Sequence, residues 1–276
     1  MLSRMEATGI AVVTGAGRGI GRAVAIELAR RGFDVVATMR EPADGAGLAD
    51  EVGDRGRIRV DRLDVNDAST MNLPAGLRVL VNNAGVESDN LPLEVMPADA
   101  WRAIFETNVF GLVEVTKHAI PLMRDAGGGV ICNVTSSSVL APVPFLGAYR
   151  SSKAAVSAIG ESLQAEVAGF GIRVLEILPG PIETDMLLTS DKPAAAIEHE
   201  RYRAQAEQLW EGRQRIRNLY TPAAVAATRI ADAILDDDAP LRAGCDDLSE
   251  GMLDAWRSAD SDEAWLRPLL ASFTEQ

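Results

Sequence analysis

The sequence predicts an α/β protein: a Rossmann-type doubly wound parallel sheet of about seven strands with helices on both faces. Three observations predict it. Short β-branched runs are apolar throughout, amphipathic helical stretches separate them, and a glycine cluster joins the first run to the first helix. Strands apolar on both faces need cover on both faces, and alternation with helices makes the connections right-handed crossovers between parallel strands. Ligands then bind beyond the carboxyl ends of those strands.

Taken in order, Ile10–Thr14 reads as a strand and Gly21–Arg31 as a helix with Ala, Ile and Leu on one face. Asp34–Thr38 is a second strand, Gly45–Val52 a short helix and Ile58–Leu63 a third strand. Only 18 positions (82 − 64) separate Asp64 from Asn82, so Asp67–Leu73 has room for a turn or two before Pro74 ends it. That shortening puts the packing of one sheet face in question. Val79–Asn82, Val130–Thr135 and Val174–Leu178 are strands, with the long helices Ala98–Met123 and Ala148–Gly169 between them.

Residues 183–220 are helical and charged, with apolar Met186, Leu187, Leu188, Leu209 and Trp210, and the next strand is expected only at Leu241–Ala243. Following a strand's carboxyl end, this insertion is expected to be a substrate lid, a surface helix pair being the alternative. Residues 246–276 form an acidic C-terminal extension carrying Trp256 and Trp265, expected to be ordered or to make an oligomer contact. The whole of 1–276 is expected to be a single domain.

A net charge of −13 argues against a nucleic-acid surface and against an anionic membrane as partner. Cys132 and Cys245 make no disulfide framework, which fits a reducing cytosol and a cytoplasmic location. The N-terminus has no signal-like apolar stretch, and no window approaches the ~18 apolar residues of a membrane span. His118 and His199 belong to no metal-ligand spacing, so no metal is expected.

Directly after the first strand stands Thr14-Gly-Ala-Gly-Arg-Gly-Ile-Gly21. Glycines permit φ > 0 and close approach to a pyrophosphate, while the helix that follows offers free N–H groups to an anion. The spacing is G-x-x-x-G-x-G over Gly15, Gly19 and Gly21. Such a cluster gains weight from its place between strand and helix.

Tyr149 and Lys153 are four apart on a helix and share a face, with Ser136 13 positions (149 − 136) before the tyrosine. Carbonyl reduction needs a proton donor at oxygen while hydride reaches carbon. A free tyrosine of pKa ~10 gives up its proton reluctantly, and a nearby ammonium favours the phenolate. Ser136 would hold the substrate oxygen, with Ser137 and Ser138 as competitors.

These residues together resemble the short-chain dehydrogenase/reductase family, in the subgroup with TGxxxGxG. TGAGRGIG, Asn82-Asn-Ala-Gly85, Asn108, Ser136 with Tyr149-Arg-Ser-Ser-Lys153, and Pro179-Gly-Pro-Ile-Glu-Thr184 match in order over roughly residues 8–185. The resemblance implies catalysis by Asn108, Ser136, Tyr149 and Lys153. In it Asn108 bends its helix and holds a water that relays protons from Lys153, and Lys153 also bonds the nicotinamide ribose. It implies a dinucleotide held by Gly15, Gly17, Arg18, Gly19, Ile20 and Gly21, with Asp64 and Val65 at the adenine. Asn83 and Gly85, flanking Ala84, meet the adenosine ribose, and Pro179, Gly180, Ile182 and Thr184 the nicotinamide.

At the end of the second strand Met39 takes the place where NAD-preferring members carry Asp, and Arg40 follows it. Arg40 and Arg18 without a competing carboxylate favour a 2′-phosphate, hence NADP(H), with NAD(H) possible through Glu41. The expectation is an oxidoreductase acting on a carbonyl or secondary alcohol of a hydrophobic small molecule, lined by Leu140–Leu146 and closed over by Met186–Leu188. Alternatives are a non-catalytic NADP(H)-binding sensor or interaction protein and an NAD-preferring alcohol dehydrogenase. Epimerases and dehydratases fit less well, since those members usually show the other glycine spacing and a longer chain. The resemblance also implies a homodimer or homotetramer pairing the helices Ala98–Met123 and Ala148–Gly169.

Overall fold

A computed structural model describes residues 5–185, 187 and 194–273 of the chain. Its strands are β1 (Ile10–Val13), β2 (Asp34–Met39), β3 (Arg57–Arg62), β4 (Leu77–Asn82), β5 (Gly129–Val134), β6 (Ile172–Leu178), β7 (Ile182–Glu183), β8 (Thr221–Pro222) and β9 (Arg242–Gly244). Seven of them make one sheet in the order β3-β2-β1-β4-β5-β6-β9, every pair parallel. The order reverses between β1 and β4, which opens a crevice at the carboxyl ends of those two strands.

The alternation of side chains along each strand feeds two apolar layers. Ala11, Val13, Val35, Val81 and Cys132 face one way, onto α1 (Gly19–Arg31) and α7 (Ala223–Leu235). Val12, Val36, Leu80 and Ile131 face the other way, onto α4 (Leu112–Asp125) and α5 (Gly147–Val167). Fully buried Phe33, Leu28, Leu80 and Ile131 anchor these layers. Truncating any one of them to alanine costs about 2–5 kcal/mol. The expected helix at Gly45–Val52 divides into a 3-10 turn, Pro42–Gly45, and α2 (Leu48–Val52).

The β3–β4 connection holds a single 3-10 turn, Ala68–Thr70, begun by Asp67, whose side chain accepts from the Ser69 N–H at 3.0 Å. Met71 is buried and Leu73 packs beside it, so two side chains fill the face that a longer helix would cover.

The single helix expected over Ala98–Met123 is three pieces: α3 (Ala98–Phe105), a π-turn at Glu106–Gly111, and α4. The extra residue in the wide turn coincides with two close contacts. Asn108 bonds across to the segment after β4, and Gly111 presses on Val65 so closely that a Cβ would lie 2.8 Å from Val65 Cγ2.

After β6 the structure departs from the expectation of no strand before residue 241. β7 and β8 pair in parallel as a separate two-stranded sheet, too short to leave a periodic signal in the sequence. Between them lie a 3-10 turn, Ala195–Glu198, and α6 (Arg203–Arg215). Met186 and Leu188, expected to close over a substrate, lie outside the described residues. The extension forms α8 (Asp247–Arg257) and α9 (Asp262–Ala271). Trp256 and Trp265 pack on Leu140, Leu178 and Leu253, and Trp265 Nε1 donates to the Leu140 carbonyl at 2.6 Å. Among the described residues no helix is long and apolar enough to cross a membrane. No group of three or more His, Cys, Asp or Glu there could hold a metal ion.

Candidate active site

The carboxyl ends of β1 to β6 carry, in turn, Gly15, Arg40, Asp64, Asn83, Ser136 and Pro179. Chain geometry alone therefore gathers the residues singled out by the sequence along one edge of the sheet.

Gly15 (φ 64°) and Gly19 (φ 57°) adopt left-handed backbone, which a side chain would strain. At Gly21 a Cβ would meet Asn83 Nδ2 at 2.3 Å and the Gly15 carbonyl oxygen at 2.5 Å. The turn is braced from β4: Asn83 Nδ2 donates to the carbonyls of Thr14 (3.0 Å) and Gly15 (3.1 Å). Thr14 Oγ1 in return accepts from the N–H groups of Asn83 and Ala84. The Asn83 amide, expected at a ribose, is thus committed to holding the turn. Arg22, unmarked by the sequence motifs, donates to the carbonyls of Gly17 and Ala46 and pairs with Glu51, fastening the 42–46 loop beside the turn. Ile20 lies in the first turn of α1, whose N-cap Arg18 supplies no side-chain cap to the first N–H groups.

Arg18 and Arg40 are exposed, and among the described residues neither pairs with a carboxylate; Met39 is buried. Open helix N–H groups, a glycine cradle without Cβ atoms and two arginines form a donor set that fits an anionic dinucleotide. Asp64 turns one carboxylate oxygen onto the Asn66 N–H, and Val65 is buried against the π-turn. Thr184 sits over the turn, its Cγ2 3.2 Å from where a Gly19 Cβ would lie. Ile182 points into the core, 3% exposed.

The catalytic candidates converge. The Ser136 hydroxyl lies close enough to the Tyr149 phenol to favour its ionised form. Lys153 Nζ lies 5.8 Å from the Tyr149 ring centroid and donates to the Val134 carbonyl at 2.9 Å. Gly85 borders the group: a Cβ there would lie 3.4 Å from Lys153 Nζ and 3.3 Å from Asn108 Oδ1. Asn108 is buried, with Oδ1 accepting from the Val86 N–H and Nδ2 donating to the Val86 carbonyl and Ser152 Oγ. Its side chain is fully engaged in joining α5 to the segment after β4. Ser136 also accepts from the Ser138 N–H, whereas Ser138 Oγ is buried without a partner and the Ser137 N–H donates to Pro179. Of the three, Ser136 is the one that acts on the tyrosine.

Burial pushes the Tyr149 phenol up from its ordinary value, and the Glu87 carboxylate pushes it further, against a lowering by the neighbouring Ser136 hydroxyl. The expected lowering by Lys153 is not among the causes acting on the phenol, which burial dominates. Lys153 itself is pulled down to about 8 by burial, with Glu176 opposing. Glu87 carries no motif, and only the fold brings it to the phenol. Two further residues escape a motif reading. Arg150 donates to the carbonyls of Ser138 and Val139 and so fixes the loop after Ser136. Asp246 accepts from the Gly180 N–H at 2.7 Å while also capping α8 through Ser249. The buried thiols, Cys132 pushed up to about 12 and Cys245 also raised, are inert.

The family model for the short chain dehydrogenases matches residues 9–194. The chain is 40% identical over 193 residues to the oxidoreductase YusZ of Bacillus subtilis, covering 66% of this chain and 68% of that one. It is 36% identical over 198 residues to a 3-oxoacyl-acyl-carrier-protein reductase of Vibrio harveyi, covering 68% and 80%. A short-chain dehydrogenase of Streptomyces avermitilis superposes with a TM-score of 0.76 at 30% identity, over 92% of this chain and 95% of that one. With glycine turn, parallel sheet and serine–tyrosine–lysine cluster in register, the chain belongs to the short-chain dehydrogenase family of oxidoreductases.

Proposed function

We propose that the chain is an NADP(H)-dependent reductase or dehydrogenase acting on a carbonyl or secondary alcohol of a small, hydrophobic molecule. The observation that carries this reading is the gathering of Ser136, Tyr149 and buried Lys153 into one cluster next to the glycine turn. A bound nicotinamide would supply or accept the hydride. Tyr149 holds the proton and delivers it to the substrate oxygen, while Ser136 donates to that oxygen and stabilises its developing charge. Lys153 keeps a positive charge beside the phenol as the proton leaves, and Asn108 fixes the helix and the segment around Gly85. A choice of NADP(H) over NAD(H) is supported by exposed Arg18 and Arg40 and by buried Met39 in place of a carboxylate.

Residues 183–220 serve as the substrate lid in this reading. The Ala196 N–H donates to the Asn90 carbonyl, Tyr202 Oη donates to Glu94 and the Phe145 ring meets Tyr202 edge-on, so the segment bridges two loops of the crevice. Phe110 stands 58% exposed on the helical face expected to pair in a homodimer or homotetramer. A cytoplasmic site and a single folding domain complete the reading.

The test is a panel of ketones and alcohols run with NADPH and NADH side by side, for wild type and Tyr149→Phe. NADPH-linked turnover in wild type, falling about 10²–10⁴-fold in the variant with NADPH binding intact, supports it. Turnover that survives in Tyr149→Phe refutes the assigned chemistry.

A further inference from the structure

β6 is apolar except for Arg173 and Glu176, and Glu176 is 3% exposed. Its carboxylate is fully occupied. Oε1 accepts from Thr135 Oγ1 at 2.8 Å and from Ser157 Oγ, and Oε2 accepts from Arg242 Nε at 2.9 Å. Both hydroxyls belong to residues beside the reaction centre. Thr135 stands between Val134, whose carbonyl holds Lys153 Nζ, and Ser136. Ser157 lies one helical turn after Lys153 and donates to the Lys153 carbonyl at 3.4 Å. One carboxylate therefore ties the strand end carrying Ser136 to the helix turn carrying Lys153.

A buried ion pair is weak evidence of stabilisation, because well-packed apolar residues of the same volume often do as well. What an apolar pair cannot supply is a negative field behind a buried ammonium. The charged and titratable groups around Lys153 are few. Tyr149 faces it from α5, Glu176 acts on it from β6, and Glu87 acts on the phenol. Arg242 stands behind Glu176 on β9, shared with the more exposed Glu161 at 2.7 Å.

We propose that Glu176 is a positioning residue for the reaction, setting Ser136 and Lys153 through Thr135 and Ser157 and keeping the lysine an ammonium by its charge. The inference rests on the reading of Ser136, Tyr149 and Lys153 given above. Its sign is definite. Burial brings Lys153 down to about 8 and Glu176 acts upward, so removing the carboxylate charge lowers it further. Any step that needs the ammonium then fails at lower pH.

The test measures two pH profiles of the full chain: kcat for carbonyl reduction, and NADPH affinity by nicotinamide fluorescence. Glu176→Gln keeps an acceptor for both hydroxyls and removes the charge. The alkaline limb of both profiles should move down by about one pH unit, and Glu176→Asp should restore it. Glu161→Gln, which removes the other partner of Arg242, should leave both limbs in place. Should Glu176→Gln fail to fold, Arg242→Gln keeps the carboxylate and removes the cation offsetting it, and the limbs should move up. Unshifted limbs in the folded Glu176→Gln variant, with any loss spread evenly over pH, overturn the inference. So does a shift in Glu161→Gln equal to that in Glu176→Gln. Tyr149→Phe assayed in parallel separates the two levels: surviving turnover there refutes the assigned chemistry, whereas the binding profile reads Lys153 without turnover.

Discussion

The glycine turn and the segment after β6 border the same crevice and are held by opposite means. The turn is constrained at its own backbone: left-handed Gly15 and Gly19, no room at Gly21, and carbonyls held by the Asn83 and Arg22 side chains. The later segment is held mainly by side chains: Ala194, Ala196 and Ala206 packed with Phe145 and Tyr202, a hydrogen bond from Tyr202 to Glu94, and one backbone bond from Ala196 to Asn90. Backbone constraints admit one residue type at a position, and side-chain contacts admit many. A group common to a family's members can be bound by the first, while the second leaves room for substrates to differ.

The sharpest break of that contrast is Gly21→Ala. Its Cβ would lie within 2.5 Å of two polar atoms, so the turn or Asn83 must shift. Overpacking of this kind costs about 1–3 kcal/mol. Thermal unfolding should record that loss, with NADPH affinity falling in step; an unchanged midpoint would mean the turn yields freely. Smaller is Arg40→Ala, which leaves the backbone alone. The ratio of NADPH to NADH affinity should fall about tenfold, in line with one charge-assisted hydrogen bond. A constant ratio would move the choice of cofactor to Arg18. Smallest is Phe145→Ala, which removes an edge-on ring contact worth about 1 kcal/mol. Amide exchange over residues 195–206 should quicken while the glycine turn stays protected. Equal exchange in both regions would erase the distinction.

The parallel α/β architecture, the glycine turn and the serine–tyrosine–lysine set were legible because each is written in local spacing. β-branched runs announce strands, and helix geometry brings positions 149 and 153 to one face. What stayed illegible depends on pairs distant in sequence. Glu176 reads as one polar residue in an apolar strand until Arg242, 66 positions later, lies beside it. Asn83 looks like a ligand-binding amide, yet its N–H groups turn inward onto Thr14 and Gly15. The π-turn at Glu106–Gly111 hides because apolar spacing continues through it. Phe145 sits at φ 67°, the one described non-glycine residue in left-handed backbone, and no propensity places a phenylalanine there.

Asp246 has a consequence for how distant parts of the chain sense one another. Its two carboxylate oxygens are divided between the Gly180 N–H and the first turn of α8. The loop at the crevice and a helix of the extension thus draw on one acceptor. Displacing Gly180 leaves that carboxylate to cap α8 alone, and fraying α8 leaves it to Gly180 alone. The linkage must be reciprocal: whatever free energy couples loop to helix, the helix returns to the loop in equal measure.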